Sequence, residues 1–286
     1  MIVKVKDILE KAKNEGYAVG AFNTINLETT QGILRAAKEM KSPIIIQITE
    51  KTMDYAGGRM IFEIIRKLAE DYYREVPVGV HLDHGKSLEI VQRAVEIGIS
   101  SVMYDGSRKE YVDNARITKS VVEYCHTKDV FVQGELGNIP YLSEQKSGEV
   151  DWDKYMTDPD LAKKFIEETG IDALAVAIGN AHDFFKEREA PDWERLKKIR
   201  SLVNIPLILH GASDWDDGKA TDAVKNGISC FNVDTNTRLA FTNALSQLFK
   251  NDEAGLDPRK YLGEARDAIT ESVKKKIELF GSAGKA

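Results

Sequence analysis

Two histidines and an aspartate follow one apolar run of this chain. The run covers residues 76–80; His81, Asp83 and His84 come directly after it, and Gly85 ends the segment. Side chains alternate along a strand, so His81 and Asp83 share one face. Gly85 is expected to break the strand and leave Asp83 and His84 at its mouth. A buried aspartate needs a positive partner. The segment therefore indicates either a metal or catalytic site or a structural hydrogen-bonded cluster.

The remaining histidines extend this pattern. His182 and His210 also stand at or beside the ends of apolar runs, whereas His126 falls in the last turn of a predicted helix, where a cap or a solvated role is expected. Four histidines, His81, His84, His182 and His210, thus stand at or beside strand ends, and three imidazoles from separate strands with an open fourth position form the pattern of a catalytic zinc site. Three such ligands could also bind cobalt or manganese.

Other polar residues follow the predicted strands in the same way. They are Asp105, Glu135, Asn180, Asn232, Asp234 and Thr235. Carboxylates commonly accept the second ring N–H of a metal-bound histidine, and Asp105 and Glu135 suit that supporting role.

The elements that must position these residues alternate along the whole chain. Eight apolar runs, each followed by a helical pattern, predict a closed α/β fold, a (β/α)8 TIM barrel, with an additional C-terminal helix and one domain over residues 1–286. The runs cover residues 18–22, 43–48, 76–82, 101–104, 130–134, 173–178, 206–209 and 230–233. The alternative is a doubly wound open sheet, but the G-x-G-x-x-G fingerprint that it often carries is missing. In barrels the site lies at the C-terminal ends of the strands.

Composition restricts the class of partner. The 286 residues are 42% hydrophobic and 30% charged, with a net charge of -6. This charge argues against nucleic acid or an anionic membrane surface as a partner and leaves a small molecule. Cys125 and Cys230 are too few for a disulfide framework. There is no signal-peptide core and no apolar run of membrane length, so we expect a cytoplasmic protein.

Ten segments together resemble a known family, the class II, zinc-dependent fructose- and tagatose-bisphosphate aldolases. The most specific are His-Leu-Asp-His-Gly at 81–85 and Ile-Gly-Asn-Ala-His at 178–182. The full set covers residues 20–23, 26–28, 81–85, 101–107, 134–137, 175–182, 209–213, 231–235, 257–260 and 280–286.

The resemblance implies a role for each matching residue. His84, His182 and His210 would bind zinc, Asp83 would move the proton of the substrate C4 hydroxyl, and Asp105 and Glu135 would support the metal. The substrate-binding residues implied by the resemblance are Asn23, Gly211, Ser213, Asn232, Asp234, Thr235 and Arg259. Asn232 would hold the enediolate. Arg259 would reach from a neighbouring subunit of a homodimer or homotetramer to the distal phosphate of the substrate, or else form a salt bridge at a helix start.

The chain departs from the family at two positions. Asp183 and Asp214 stand where relatives have glycines that cradle the C1 phosphate of the substrate. Two unit charges about 4 Å apart repel by roughly 4 kcal/mol at an effective dielectric of 20. We therefore expect a ketose that lacks the C1 phosphate but is anionic at C6, as a phosphate or sulfonate, and that releases dihydroxyacetone. Asp183 or Asp214 would then accept a hydrogen bond from the C1 hydroxyl. If both aspartates face solvent, the cradle survives and the enzyme is an ordinary ketose-bisphosphate aldolase.

A third departure is the loop after the fifth strand. Relatives carry Gly-Gly-x-Glu-Asp there; here Tyr141, Glu144 and Glu149 are the candidates for a proton shuttle on a lid. Two other protein classes stay open. A Schiff-base aldolase needs a lysine at the barrel mouth, where no predicted strand ends in lysine and Lys186 is the nearest. A non-catalytic barrel subunit is expected to have lost the metal ligands or Asp83.

Overall fold

Eight parallel strands close into a barrel. The computed structural model describes residues 1–139, 151–181, 190–213, 215–250 and 257–286. The strands pair in chain order, and β1 also pairs with β8, which closes the barrel and rules out the open sheet. They are β1 Val19–Asn23, β2 Ile44–Thr49, β3 Val78–Gly85, β4 Ser101–Tyr104, β5 Phe131–Leu136, β6 Ala173–Val176, β7 Leu207–Leu209 and β8 Ile228–Val233.

Helices surround the barrel. They are α1 Val5–Glu15, α2 Leu27–Glu39, α3 Glu50–Ala56, α4 Gly58–Lys67, α5 Leu88–Glu96, α6 Tyr111–His126, α7 Pro159–Thr169, α8 Trp193–Leu202, α9 Asp217–Lys225, α10 Thr235–Lys250 and α11 Pro258–Phe280. Most helix starts carry a polar side chain that accepts a hydrogen bond from the first turn, as an N-cap does. Examples are Asn26, Ser87, Asp158, Asp192, Asp216 and Asp257. In the described residues, none of these helices has the length and apolarity that a membrane crossing requires.

Helix α3 is not predicted by the sequence pattern, which indicates a helix only after Gly57 and Gly58, running to about residue 73. Thr49, the last residue of β2, accepts a hydrogen bond from the Thr52 amide and so starts a helix at once. Gly57, with φ of 77°, ends it. The following helix is α-helical only to Lys67 and continues as a π-helical turn, Leu68–Tyr72.

The barrel interior is apolar at its N-terminal end and polar at its mouth. Helix α1 covers the lower end, where its apolar face packs on inward-facing strand residues, among them Val19, Ile45, Phe131, Ala173, Ile208 and Cys230. Further up, the buried interior positions are polar: Asn23, Gln47, His81, Asp83, Gln133, Glu135 and Asn232. A polar layer of this kind is costly to bury, so it indicates a functional end of the barrel.

The C-terminal helix α11 packs along α2. The sequence pattern predicts its start at about residue 261, but it begins at Pro258, because Asp257 caps it and proline is favourable in the first turn. Gly32 of α2 allows the close approach: a Cβ there would lie 2.8 Å from the Arg266 carbonyl oxygen. Arg35 of α2 also pairs with Asp267 at 2.9 Å.

Candidate active site

An extra residue in β3 directs Asp83 and His84 into the same space. Leu82 pairs with Val102 of β4, but Gly85 pairs with Tyr104, so β3 carries one more residue than β4 over this interval. Such a β-bulge re-aims side chains near active sites. The irregularity falls at His84, whose φ is 50°.

β3 ends at Gly85, as the sequence predicts, and Asp83 and His84 lie at the barrel mouth. Gly85 still pairs, and its carbonyl accepts the Asp105 amide at 2.9 Å. A side chain at this position would clash with β4, because a Cβ would lie 2.7 Å from the Met103 carbonyl oxygen. The left-handed backbone of His84, rather than the end of the strand, ends the alternation of side chains.

A pocket of about 730 Å³ occupies the C-terminal mouth of the barrel. It contains most of the described residues that the sequence singled out, namely Asn23, Asp83, His84, His210, Gly211, Ser213, Asn232, Asp234 and Thr235. The remaining predicted site residues lie outside the described residues: His182, Asp183, Asp214, Tyr141, Glu144, Glu149 and Lys186.

Two imidazoles converge in this pocket. Nε2 of His84 and Nδ1 of His210 are 3.0 Å apart, and the rings meet edge to face at 85°. Two nitrogens bound to one tetrahedral zinc at 2.0–2.1 Å would be about 3.3 Å apart. Asp83 Oδ1 lies 3.8 Å from His84 Nε2, and one ligand atom from each of the three residues lies within 4.8 Å of the others. The donor set and spacing fit a zinc ion.

Asp105 holds the other side of the His84 ring. Its Oδ2 is 2.9 Å from His84 Nδ1 and also pairs with the Lys86 ammonium, while the Ser107 hydroxyl donates to Oδ1 at 2.7 Å. Burial opposes ionisation of Asp105, but its bonds to His84 and Lys86 hold its pKa well below the usual range. Burial likewise opposes protonation of His84, yet Asp83 and Asp105 outweigh it and raise the pKa of His84 to about 9. The pocket thus favours a positive charge at this ring.

Glu135 lies inside β5 rather than after it, because β5 continues to Leu136. Its side chain is buried, and Oε2 has no hydrogen-bond partner among the described residues. Burial, followed by the charge of Asp105, raises the pKa of Glu135 to about 8. One ligand atom each from His84, Asp105 and Glu135 also lies within 4.8 Å of the others, so these three residues could likewise hold a metal ion.

Asp83 is held by two amides. Asn23 Nδ2 donates to Oδ2 at 2.8 Å and Asn232 Nδ2 donates to Oδ1 at 3.1 Å. Burial alone would raise the pKa of Asp83, but the charges of His84 and His210 and the bond from Asn23 lower it. An ionised carboxylate in a fixed orientation at the pocket wall can act as a proton acceptor.

Sequence reasoning missed several residues around this site. Gln133 Nε2 lies 2.8 Å from His210 Nε2; its position two residues before Glu135, on the same face of β5, was the available signal. Lys51 and Arg238 line the pocket from α3 and α10.

Lys86 corrects the statement that the nearest lysine is Lys186. It directly follows β3 and lines the pocket, because the strand extends three residues beyond its predicted end. Its ammonium pairs with Asp105, and its side chain is 57% exposed. A Schiff-base lysine must be activated to react as a free amine, whereas the ammonium of Lys86 is ion-paired with Asp105 and mostly exposed to solvent.

Arg259 does not line the pocket of its own chain. It lies in the first turn of α11 with a side chain 91% exposed, and its guanidinium pairs with Asp257 at 2.9 Å. The salt bridge at the helix start is therefore present, and the reach to a neighbouring subunit stays a prediction.

A closed (β/α)8 barrel with imidazoles and carboxylates at its C-terminal mouth defines the class, a barrel enzyme. The model of the family "Fructose-bisphosphate aldolase class-II" matches residues 3–285. A fructose-bisphosphate aldolase of Thermus caldophilus is 43% identical, with full coverage of both chains. The chain belongs to the class II fructose-bisphosphate aldolase family and is an aldehyde-lyase; the family is generally zinc-dependent.

Two solved aldolase structures have a similar fold. The YdjI aldolase of Escherichia coli K12 superposes with a TM-score of 0.87 at 33% identity and covers both chains fully. A putative fructose-1,6-bisphosphate aldolase from Coccidioides immitis gives a TM-score of 0.86 at 27% identity, over 99% of this chain and 97% of that one.

Proposed function

We propose that this aldolase cleaves, reversibly, a ketose that carries no phosphate at C1 and an anionic group at C6, and that it releases dihydroxyacetone. The observation that carries the catalytic part is the carboxylate of Asp83, held by Asn23 and Asn232 beside the converging His84 and His210. The family match over residues 3–285 supports a single domain.

Different residues of the site have different roles in the proposed retro-aldol reaction. His84, His182 and His210 would hold zinc, with Asp105 and Glu135 in support; when bound, zinc supplies Lewis-acid polarisation of the ketose carbonyl. Asp83 takes the proton of the C4 hydroxyl, the C3–C4 bond breaks, and C4 leaves as an aldehyde. The electron pair of that bond passes to the enediolate of the remaining fragment, which the Asn232 amide stabilises by hydrogen bonding.

Cationic side chains around the mouth support an anionic substrate. The pocket is lined by Lys51 of α3, Lys86 directly after β3, and Arg238 of α10. Arg238 pairs with Asp234 at 2.8 Å, which orients its guanidinium without burying it. Arg259 is exposed and does not line its own pocket, so it is suited to bind the distal group of a substrate in the pocket of a neighbouring subunit of a homodimer or homotetramer.

The missing C1 phosphate is supported by sequence. Asp183 and Asp214 replace the two glycines of the phosphate cradle, and the repulsion given above disfavours a second phosphate. The competing proposal, a ketose bisphosphate with release of dihydroxyacetone phosphate, is supported by the name of the Thermus caldophilus relative.

The test compares kcat/KM of the zinc-loaded protein for fructose and tagatose 6-phosphates and a 6-deoxy-6-sulfo ketose with that for the two bisphosphates. We expect at least about tenfold preference for the substrates without a C1 phosphate, and dihydroxyacetone as product. The matched variants Asp183→Gly and Asp214→Gly, combined, should move the preference toward the bisphosphates. A wild-type preference for a bisphosphate would overturn the substrate proposal and leave the family assignment intact.

A further inference from the structure

The two converging imidazoles are backed by chemically different partners. His84 Nδ1 faces the carboxylate of Asp105 at 2.9 Å, whereas His210 Nε2 faces the amide of Gln133 at 2.8 Å. Both partners are buried, with 9% of Asp105 and 2% of Gln133 exposed. One ring is therefore supported by an anion and the other by a neutral group.

Gln133 is itself held in place. It projects from β5 into the barrel interior, and its Nε2 also lies 3.5 Å from the Met103 sulfur. Asn180 donates to the His210 carbonyl oxygen at 2.8 Å, so both the backbone and the ring of His210 are fixed.

Metal ligation determines which atoms must meet at this contact. A ring nitrogen that gives its lone pair to a cation leaves the proton on the other nitrogen, which then donates a hydrogen bond. With Nδ1 of His210 directed toward His84, its Nε2–H must be accepted by Gln133. The amide can do so through Oε1, because its oxygen and nitrogen exchange places by a half-turn of the side-chain amide.

We propose that Gln133 is a positioning residue for His210 and that its neutrality sets the balance between holding the metal and activating the substrate. A carboxylate at this position would increase the electron density that His210 donates, and so would strengthen metal binding and weaken polarisation of the carbonyl. The neutral amide fixes the ring without this charge. The inference rests on the proposed ligation by His84 and His210, and not on the identity of the ketose.

The experiment measures zinc affinity, by competition with a chromophoric chelator, for wild type, Gln133→Glu and Gln133→Met. Outer partners of metal-bound histidines change metal affinity by about 10–100-fold. We expect Gln133→Glu to bind zinc about tenfold more tightly with a several-fold lower kcat, and Gln133→Met to bind about tenfold more weakly. Long-range ¹⁵N–¹H correlation spectra of the zinc-loaded wild type should show the proton of His210 on Nε2.

Gln47→Met is the matched control. Gln47 is also a buried glutamine of the barrel interior, on β2, and makes no described hydrogen bond to His210. Its loss should change zinc affinity less than about twofold. Folded Gln133 variants with wild-type zinc affinity, or a His210 proton on Nδ1 in the zinc-loaded protein, would overturn the proposal. If instead His84→Ala and His210→Ala leave zinc binding unchanged, the ligation within the proposed function fails, and the Gln133 inference fails with it.

Discussion

Asn23 on β1 donates a hydrogen bond of 2.8 Å to the carboxylate of Asp83 on β3, across the position of β2, which separates the two strands in the barrel wall. Asn232 on β8 reaches the other carboxylate oxygen at 3.1 Å. The proton acceptor of the proposed reaction is thus oriented by strands from both ends of the chain, and only closure of the barrel brings them together.

Asp83→Asn should lower kcat by about 10²–10⁴-fold, because a carboxamide cannot take the C4 hydroxyl proton. Steady-state kinetics together with zinc analysis will check this, and the bound zinc should stay near wild-type content. In contrast, Asp105→Asn should mainly reduce zinc affinity, since it removes the negative charge that supports the His84 ring. Retention of more than about a tenth of the wild-type kcat by Asp83→Asn would contradict the assigned role.

Asn23→Ala should shift the acid limb of the kcat/KM profile to higher pH. The bond from Asn23 helps to lower the pKa of Asp83, so its loss raises that pKa. The ionised base then disappears at a higher pH as the solution is acidified. Loss of this hydrogen bond to a charged group should also lower the free energy of unfolding by about 1.5–3 kcal/mol. An unmoved acid limb would mean that the bond does not tune Asp83.

Chelation of the metal should abolish cleavage, and zinc should restore it. Cobalt or manganese should restore part of the activity, because imidazole and carboxylate ligands accept both. Borohydride treatment with substrate present should trap no covalent adduct, since Lys86 is ion-paired. Activity that survives complete metal removal would require a different mechanism.

Gly32→Ala should destabilise the packing of α11 on α2. The added Cβ would lie 2.8 Å from a backbone oxygen, so a helix must move, at a cost of about 1–3 kcal/mol. Gly263→Ala on α11 is the matched control, because nothing lies closer to its Cβ than the Arg266 guanidinium at 3.9 Å. Alanine there should stabilise the helix by up to about 1 kcal/mol. Urea unfolding of the two variants will check this. Equal unfolding midpoints for Gly32→Ala and Gly263→Ala would contradict the close packing of α11 on α2.

Both cysteines should be inert to thiol reagents in the native protein. Burial raises the pKa of the Cys125 thiol to about 12 and also raises that of Cys230. At pH 8 a thiol with a pKa near 12 is about a thousandfold less ionised than a free one, and the thiolate is the reactive form. A disulfide reagent should therefore titrate two thiols only after denaturation. Rapid native reaction of either would contradict the burial.

The periodicity of the chain predicted the barrel because each strand is a short apolar run separated from the next by a helix. It did not predict α3, whose start depends on the Thr49 cap rather than on an apolar face. The positions of His84, His210 and Asp105 followed from the rule that barrel sites lie at strand ends. The contacts of Gln133 and Lys86 did not, because they depend on side-chain reach and on the exact length of β3 and β5, which periodicity leaves uncertain by two or three residues.

The left-handed backbone at His84 has a consequence for protein engineering. A regular strand would present Asp83 and His84 on opposite faces, and only the inserted residue gives both access to one pocket. Grafting this pair of side chains onto another barrel scaffold would therefore fail unless the local backbone irregularity, with the small residue that follows it, is transferred as well.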